Sequence, residues 1–341
     1  MEFKPQYQLS PELLVNLNQI ERFYGQLESL HLPKTAQLNL ERDNLFSSSY
    51  ISNSIEGNPL SLPEVTNLLL GDRVPTNRDE KEVCNYFDIL KNLHTKVDQP
   101  LTVQYLLSLH QQLLHGVKDD IAGQIRNQRI VVGHYQRQAG MKKLVVKHEP
   151  PSHKQTDIQK SLQCLFHWIA AQPKIPAVVQ VGIFHHQFVY IHPFVDGNGR
   201  SCRLLTAWLL LKYGYRINKY FVLDDWYDID RTQYSDKLHT ADSGDKTEWL
   251  EYFTDGMKYS LQTALAKAQY SIESVEVPKR LSKQQRQVYE LLLEQKQLTS
   301  QDIVHSLKIS RQLAHRVLKA LVGKGFAAEK GVTKGKYYIL K

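Results

Sequence analysis

The chain has 341 residues, 43 Lys+Arg against 35 Asp+Glu and a formal charge of +8, a size that one core rarely fills and that implies two or three domains. Its longest nearly continuous apolar run, Leu204 to Leu211, is far short of the roughly 20 residues of a membrane-spanning helix. Met1-Glu2-Phe3-Lys4-Pro5 offers no apolar core for a secretory signal, and Cys84, Cys164 and Cys202 lack disulfide or metal-ligand spacing, so a reducing, cytoplasmic setting without membrane is expected.

Helical periodicity dominates the first hundred residues. Leu13, Leu14, Leu17, Ile20 and Phe23 form an apolar stripe after the start signal Ser10-Pro11-Glu12. Ser61, one residue before Leu62-Pro63, marks another helix start, and helices are predicted from Lys81 to Val97 and from Thr102 to Leu114. Ile130-Val131-Val132 and Leu144-Val145-Val146 flank a turn at Gly140 and predict a β-hairpin over about 129 to 148, ended by Pro150-Pro151. Helices resume at Asp157 to Ala171 and Ala177 to Ile191, where Pro193 stops the chain from continuing. After a loop to Asn198, a helix is predicted from Gly199 to Tyr213 and two more between Asp230 and Ala268. The expected organisation is a helical region over 1–100, a core over 101–270, a linker over 271–280 and a small domain over 281–341.

The densest chemistry is the loop His192-Pro193-Phe194-Val195-Asp196-Gly197-Asn198-Gly199-Arg200-Ser201-Cys202-Arg203. It feeds a helix N-terminus, where two glycines admit a ligand close to backbone amides and the helix dipole favours an anion. An imidazole that can accept a proton, a carboxylate that can hold Mg²⁺ and two guanidiniums on one helix face surround this phosphate cradle.

The segment resembles, at every specified position, the signature of the Fic family, His-Pro-Phe-x-Asp/Glu-Gly-Asn-Gly-Arg-x-x-Arg. Gly123-Gln124-Ile125-Arg126, the hairpin, His185, and the Asp230 to Phe253 stretch with Tyr234 and Trp249 extend the likeness to about residues 1 to 270. The resemblance implies a mainly α fold with a hairpin flap, and transfer of AMP from ATP to a Ser, Thr or Tyr hydroxyl of a target protein. It implies His192 as general base and Asp196 as the Mg²⁺ ligand. The amides of Gly197, Asn198 and Gly199, with the Asn198 side chain, would form the anion hole, and Arg200 and Arg203 would meet the β- and γ-phosphates. The motif specifies the cradle and not the transferred group, so UMP or phosphocholine transfer stays open.

Ser52-Asn53-Ser54-Ile55-Glu56-Gly57 reads first as helix punctuation, with Gly57 a left-handed C-cap. It also resembles the family's inhibitory pattern, Ser/Thr-x-x-x-Glu-Gly/Asn, placed before the core. That likeness implies Ser52, Glu56 and Gly57 as a brake in which Glu56 pairs with Arg203, and in some relatives the same glutamate supports removal of AMP. The hairpin resembles the family's flap, which registers a target segment by strand addition. Tyr234 either stacks near the adenine or packs in the core. His185 and His186 point in different directions on one helix and are expected to pack rather than join His192 around zinc.

Residues 281–341 hold nine Lys and three Arg against four acids, so the whole charge excess lies there and residues 1–280 balance to zero. A helix from Ser282 to Gln295, one opened by Thr299, a turn at Leu307 to Ser310, a helix to Val322 and two strands over Phe326 to Ile339 resemble a winged helix-turn-helix. Arg311, Gln312 and Arg316 on its recognition helix, with Lys330, Lys334 and Lys336 on the wing, suit DNA, while winged helices also dimerise or dock proteins. The expected partners are a target protein, the chain itself as an AMP acceptor, DNA and a second copy in a homodimer. A rival reading is a DNA-binding regulator with a nucleotide-sensing, weakly active core.

Overall fold

The computed structural model describes all residues except 1–2, 31, 72–73, 139–140, 172–173, 275–280, 296, 332–335 and 341, and leaves aside the side chains of 134–143, 270–274 and 294. The chain divides into two compact units, Met1–Ser29 with Leu40–Leu265, and Leu30–Asn39 with Ala266–Lys341. Among the described residues no helix is long and apolar enough to cross a membrane.

The first unit is helical. Helix α1 (Pro11–Ser29) buries Leu13, Asn16, Ile20, Tyr24 and Leu27, a stripe rotated from the expected one. Leu14 is exposed, and Asn16 turns inward because Thr254 and Lys258 satisfy its amide. Helix α2 (Lys34–Ile55) buries a polar face, with Ser48, Ser49, Ser52 and Asn53 inside. Helix α3 (Leu62–Leu70) starts at Ser61, whose capping box with Glu64 supplies two of the terminal hydrogen bonds. Helix α4 (Arg78–Asn92) starts earlier than expected because Asn77 accepts from the Glu80 amide as N-cap, and its continuation Leu93–Lys96 tightens to a 3-10 turn. Helix α5 (Val103–Leu114) is capped by Thr102.

Strands β1 (Val132–Gln138) and β2 (Met141–His148) form the hairpin in antiparallel register, Tyr135 opposite Leu144. Ile130 and Val131 lie outside the pairing, and the Gly140 turn lies outside the described residues. The base of β2 is tied down by Lys147 to Asp236 (2.7 Å) and by His148 to the Tyr190 carbonyl (2.9 Å).

Helix α6 (Gln155–Ala171) packs on α7 (Ala177–Ile191), and α7 on α8 (Asn198–Lys212). Both α7 and α8 are buried around nearly their whole circumference, the mark of helices at the centre of a core. Helices α9 (Asp224–Ile229), α10 (Arg231–Thr240) with the 3-10 turn Ala241–Ser243, and α11 (Thr247–Ser274) complete the bundle. Trp249 of α11 donates to the Gly182 carbonyl of α7 at 2.7 Å. Helix α11 runs to Ser274, so the expected linker begins as helix, and its remainder, residues 275–280, lies outside the described residues.

The C-terminal part comprises α12 (Lys283–Gln295), β3 (Gln297–Leu298), α13 (Ser300–Leu307), α14 (Arg311–Gly323), β4 (Ala327–Lys330) and β5 (Tyr337–Leu340). Its sheet has three strands in the order β3-β5-β4, one more than expected. The two residues of β3 are too short to carry a periodic signal and become a strand only by pairing with Tyr338 and Ile339. Val288, Leu292, Ile303, Ala314, Leu318, Leu321 and Tyr338 are among the residues that form its own core, and Thr299 caps α13 with a capping box to Asp302.

Candidate active site

The loop between α7 and α8 turns sharply at two left-handed residues, His192 (φ 49) and Gly197 (φ 78). A Cβ at Gly197 would stand 3.2 Å from His110 Nε2 as well as being strained by its φ, so both space and backbone ask for glycine. The Asn198 side chain accepts from the Phe194 amide (2.9 Å) and donates to the Phe194 carbonyl (2.8 Å). Its side chain thus closes the loop, with one of its two amide N–H groups engaged there. The first amides of α8 have no intrahelical acceptor and are donors to which an anion can bind.

His192 places Nδ1 3.1 Å from the Val189 carbonyl. A carbonyl only accepts, so Nδ1 carries the proton and Nε2 presents a lone pair. Burial pushes the imidazole down to about 4, leaving it neutral near pH 7. Its backbone is held by Arg126, whose Nε donates to the His192 carbonyl (2.7 Å) and Nη2 to that of Ile191 (3.3 Å), a cation capping the C-terminus of α7.

Asp196 accepts from Lys118, from the Gly197 amide (2.6 Å) and, at 3.4 Å, from Arg200 Nη2. Burial would raise its carboxyl, but Lys118 and Arg200 outweigh this and hold it below the usual carboxylate range. An ionised, partly exposed carboxylate beside the cradle is the oxygen donor that Mg²⁺ takes, with the rest of its shell from water and phosphate; Lys118 would have to give way. Arg200 is buried between Glu82 and Asp196, each 3.4 Å away, with its Nε unbonded. It therefore lies against two carboxylates in this structure.

Arg203 is also buried, and its partners come from α2 and the residue just beyond it. Nε donates to Ser52 Oγ (2.7 Å), and Nη2 donates to the Ser52 carbonyl (2.8 Å) and to Glu56 Oε1 (2.7 Å). Burial opposes the charge, and Glu56 more than restores it. Gly57, at φ 90, ends the helix. A Cβ on Gly199 would lie 2.1 Å from Glu56 Oε1 and 3.0 Å from Arg203 Nη1, so the Glu56 carboxylate rests on the first turn of α8, where an anion is favoured. A carboxylate already seated against this backbone shows that the cradle fits a negatively charged group.

Tyr234 is not a ligand platform. It is buried, stacked on Tyr227 at 4.3 Å between centroids, and its hydroxyl pairs with His185 Nε2 at 2.9 Å, so neither ring face is open to an adenine. His185 also meets Thr206 (2.9 Å) and is a packed residue, as expected. Cys202 is fully buried with its thiol pushed up by desolvation.

Sequence reasoning missed His110, Glu82 and Lys118. His110 stacks on Phe194 at 3.6 Å, meets the Asp196 carbonyl through Nε2 (2.9 Å) and accepts the Gly123 amide through Nδ1 (3.0 Å). Desolvation pushes it down to about 4. His110 and Glu82 stand on helices with ordinary amphipathic spacing and Lys118 follows the end of α5, and no local pattern marks the partner each meets 78 to 118 residues away.

On the C-terminal helix α14, Arg311, Gln312, His315 and Arg316 are all exposed, as a groove-reading face requires. On the wing, Lys336 is 2.5 Å from Glu329, so that cation is paired rather than free for phosphate, Lys330 is exposed, and Lys334 lies outside the described residues.

Comparison with known proteins agrees with this layout. Residues 100–210 match the Fic/DOC family, and residues 280–341 match the sugar-specific transcriptional regulator TrmB. The chain is 27% identical over 262 residues to the protein adenylyltransferase Fic of Drosophila mojavensis, covering 73% of this chain and 47% of that protein. The Drosophila grimshawi counterpart is 27% identical over 252 residues. The chain spans about half the length of these curated relatives. A Fic family protein from Desulfovibrio desulfuricans G20 shares the fold over 99% of this chain and 98% of its own, at TM-score 0.67 and 22% identity. Fic-1 from C. elegans does so over 76% of this chain and 73% of its own, at TM-score 0.63 and 22% identity. The chain therefore carries a Fic/DOC-family domain, followed by a TrmB-like winged helix.

Proposed function

We propose that the protein transfers AMP from ATP to a hydroxyl of a protein target, itself included, and that Glu56 restrains the reaction. The observation that carries the reading is the neutral His192, its Nδ1 on the Val189 carbonyl and its Nε2 free to act, beside a helix N-terminus that already holds a carboxylate. His192 Nε2 takes the proton of the target hydroxyl as that oxygen bonds to the α-phosphorus, and the bond from that phosphorus to the departing pyrophosphate breaks. The first amides of α8 and Arg203 stabilise charge on the phosphates. Mg²⁺ held by Asp196 would supply charge neutralisation between phosphates when bound.

Glu56 works by occupying Arg203 and the cradle together, so a nucleotide must displace an internal anion before its phosphates can align. Released from Glu56, Arg203 has a guanidinium to offer. The hairpin, with Leu144 and Val146 exposed on β2, offers a strand edge for a target segment. The C-terminal domain binds DNA through Arg311, Gln312 and Arg316, which supports a coupling of the core to a genomic site. Mass spectrometry for a 5′-AMP adduct after incubation with ATP and Mg²⁺ tests the activity: the Glu56→Gly protein should carry it, and Glu56→Gly with His192→Ala should not. No adduct on the Glu56→Gly protein, with nucleotide still bound, would favour the regulator over the transferase.

A further inference from the structure

Beneath the hairpin, three side chains from distant parts of the sequence converge: His148 at the end of β2, His239 of α10 and Asp242 of the following 3-10 turn. One ligand atom from each lies within 4.8 Å of the others. Their hydrogen-bond accounts do not close. His148 Nε2 is 2.9 Å from the Tyr190 carbonyl, which only accepts, so Nε2 carries the proton. His148 Nδ1 is 2.8 Å from Asp242 Oδ2, also an acceptor, and in the neutral ring both would present lone pairs to each other. His239 Nδ1 is 3.0 Å from the same oxygen. The neighbouring His186 has no such conflict: Lys246 Nζ meets its Nδ1 (2.7 Å), and its Nε2 donates to Asp242 Oδ1 (2.9 Å). A cation between His148 Nδ1 and Asp242 Oδ2 resolves the conflict, either an added proton or a metal ion.

We propose that His148 Nδ1, His239 Nδ1 and Asp242 Oδ2 bind a divalent transition-metal ion of the zinc class. Two imidazoles and one carboxylate suit zinc and its neighbours and disfavour magnesium or calcium, which take oxygen. The outer partners are those such a site needs: the Tyr190 carbonyl orients His148, and His186 orients the Asp242 carboxylate. Ligands of a tetrahedral ion with bonds of about 2.0–2.1 Å stand about 3.3 Å apart, so each ring need withdraw from Asp242 Oδ2 by no more than about half an ångström. His239 and Asp242 sit three residues apart on one turn, with side-chain exposures of 13% and 23%, which opens a path for the ion and for a water in the fourth position. The ion would join the hairpin base to α10, and the inference does not rest on AMP transfer.

The test uses the full chain, stripped with chelator and titrated with Co²⁺ followed by visible absorption, and with Zn²⁺ against a chromophoric chelator. One tight equivalent per chain is expected, with d–d bands on Co²⁺ binding and a rise in Tm on Zn²⁺ addition. His239→Gln, at the partly exposed ligand, should weaken binding by about 100-fold or more and remove the Tm response, while Asp196→Asn keeps both. Absence of a tight equivalent in the wild type would overturn the proposal, as would equal binding by a His239→Gln protein with wild-type circular dichroism. A His148 imidazolium that titrates by NMR and ignores Zn²⁺ would assign the gap to a proton and overturn it too.

Discussion

Two helices in this protein begin with arginines, and they use them in opposite ways. At the start of α8, Arg200 and Arg203 are buried and held by Glu82, Asp196, Ser52 and Glu56. At the start of α14, Arg311 and Arg316 are exposed. Net charge separates the regions in the same sense, since the excess of +8 lies entirely in residues 281–341. The difference teaches that a cation's role follows from what it is packed against. A buried guanidinium with a carboxylate partner is a switchable contact, costly to break one-sidedly, whereas an exposed one acts through long-range attraction that salt screens.

If this contrast is sound, substitutions in the first region should have large, mutually dependent effects and those in the second small, additive ones. The largest is expected at His192: His192→Ala should lower AMP transfer by about 10²–10⁴-fold with nucleotide affinity little changed, measured by radiolabel transfer and by calorimetry. Acid should act next. His110 and His185 have pKa values pushed down to about 4 and about 3 by burial, below the ordinary value near 6.5. The unfolded chain thus binds more protons below that value, so their contribution is complete above pH 6.5 and is lost as pH falls toward 4. The loss is of order 3 kcal/mol for a fully buried ring. Asp224, pushed up to about 6 by burial, works the other way and offsets part of it, and urea midpoints between pH 7 and 4 would show the net fall.

Glu56→Gly should raise auto-modification about tenfold or more, the equivalent of about 1.4 kcal/mol; equal rates would break the link between the Glu56–Arg203 pair and restraint. The smallest effects belong to α14. In the full chain, Arg316→Ala should weaken DNA binding at low salt and reduce the slope of log affinity against log salt by about one. A flat salt response would make the winged helix a protein-docking module and end the contrast.

Much of the fold is legible because helices announce themselves locally. Ser61 with Glu64, Thr102 and Thr299 with Asp302 mark starts by side-chain chemistry within three residues, and the predicted bounds of α7 match Ala177–Ile191. Where polar groups face inward the pattern fails. Asn16 displaced the expected stripe of α1, and β3 needed a partner strand to exist.

The sequence by itself determined the loop from His192 to Arg203, the order of the helices and the segregation of charge, because caps, periodicity and motif spacing act over a few residues. Tertiary structure decided which atoms meet. It set Glu56 against Arg203 across 147 residues, tied the Asn198 side chain to the Phe194 backbone, closed Tyr234 into the core and gathered His148, His239 and Asp242. Such meetings depend on which helix faces pack together and which buried polar groups must then find a partner, conditions no short stretch of chain contains.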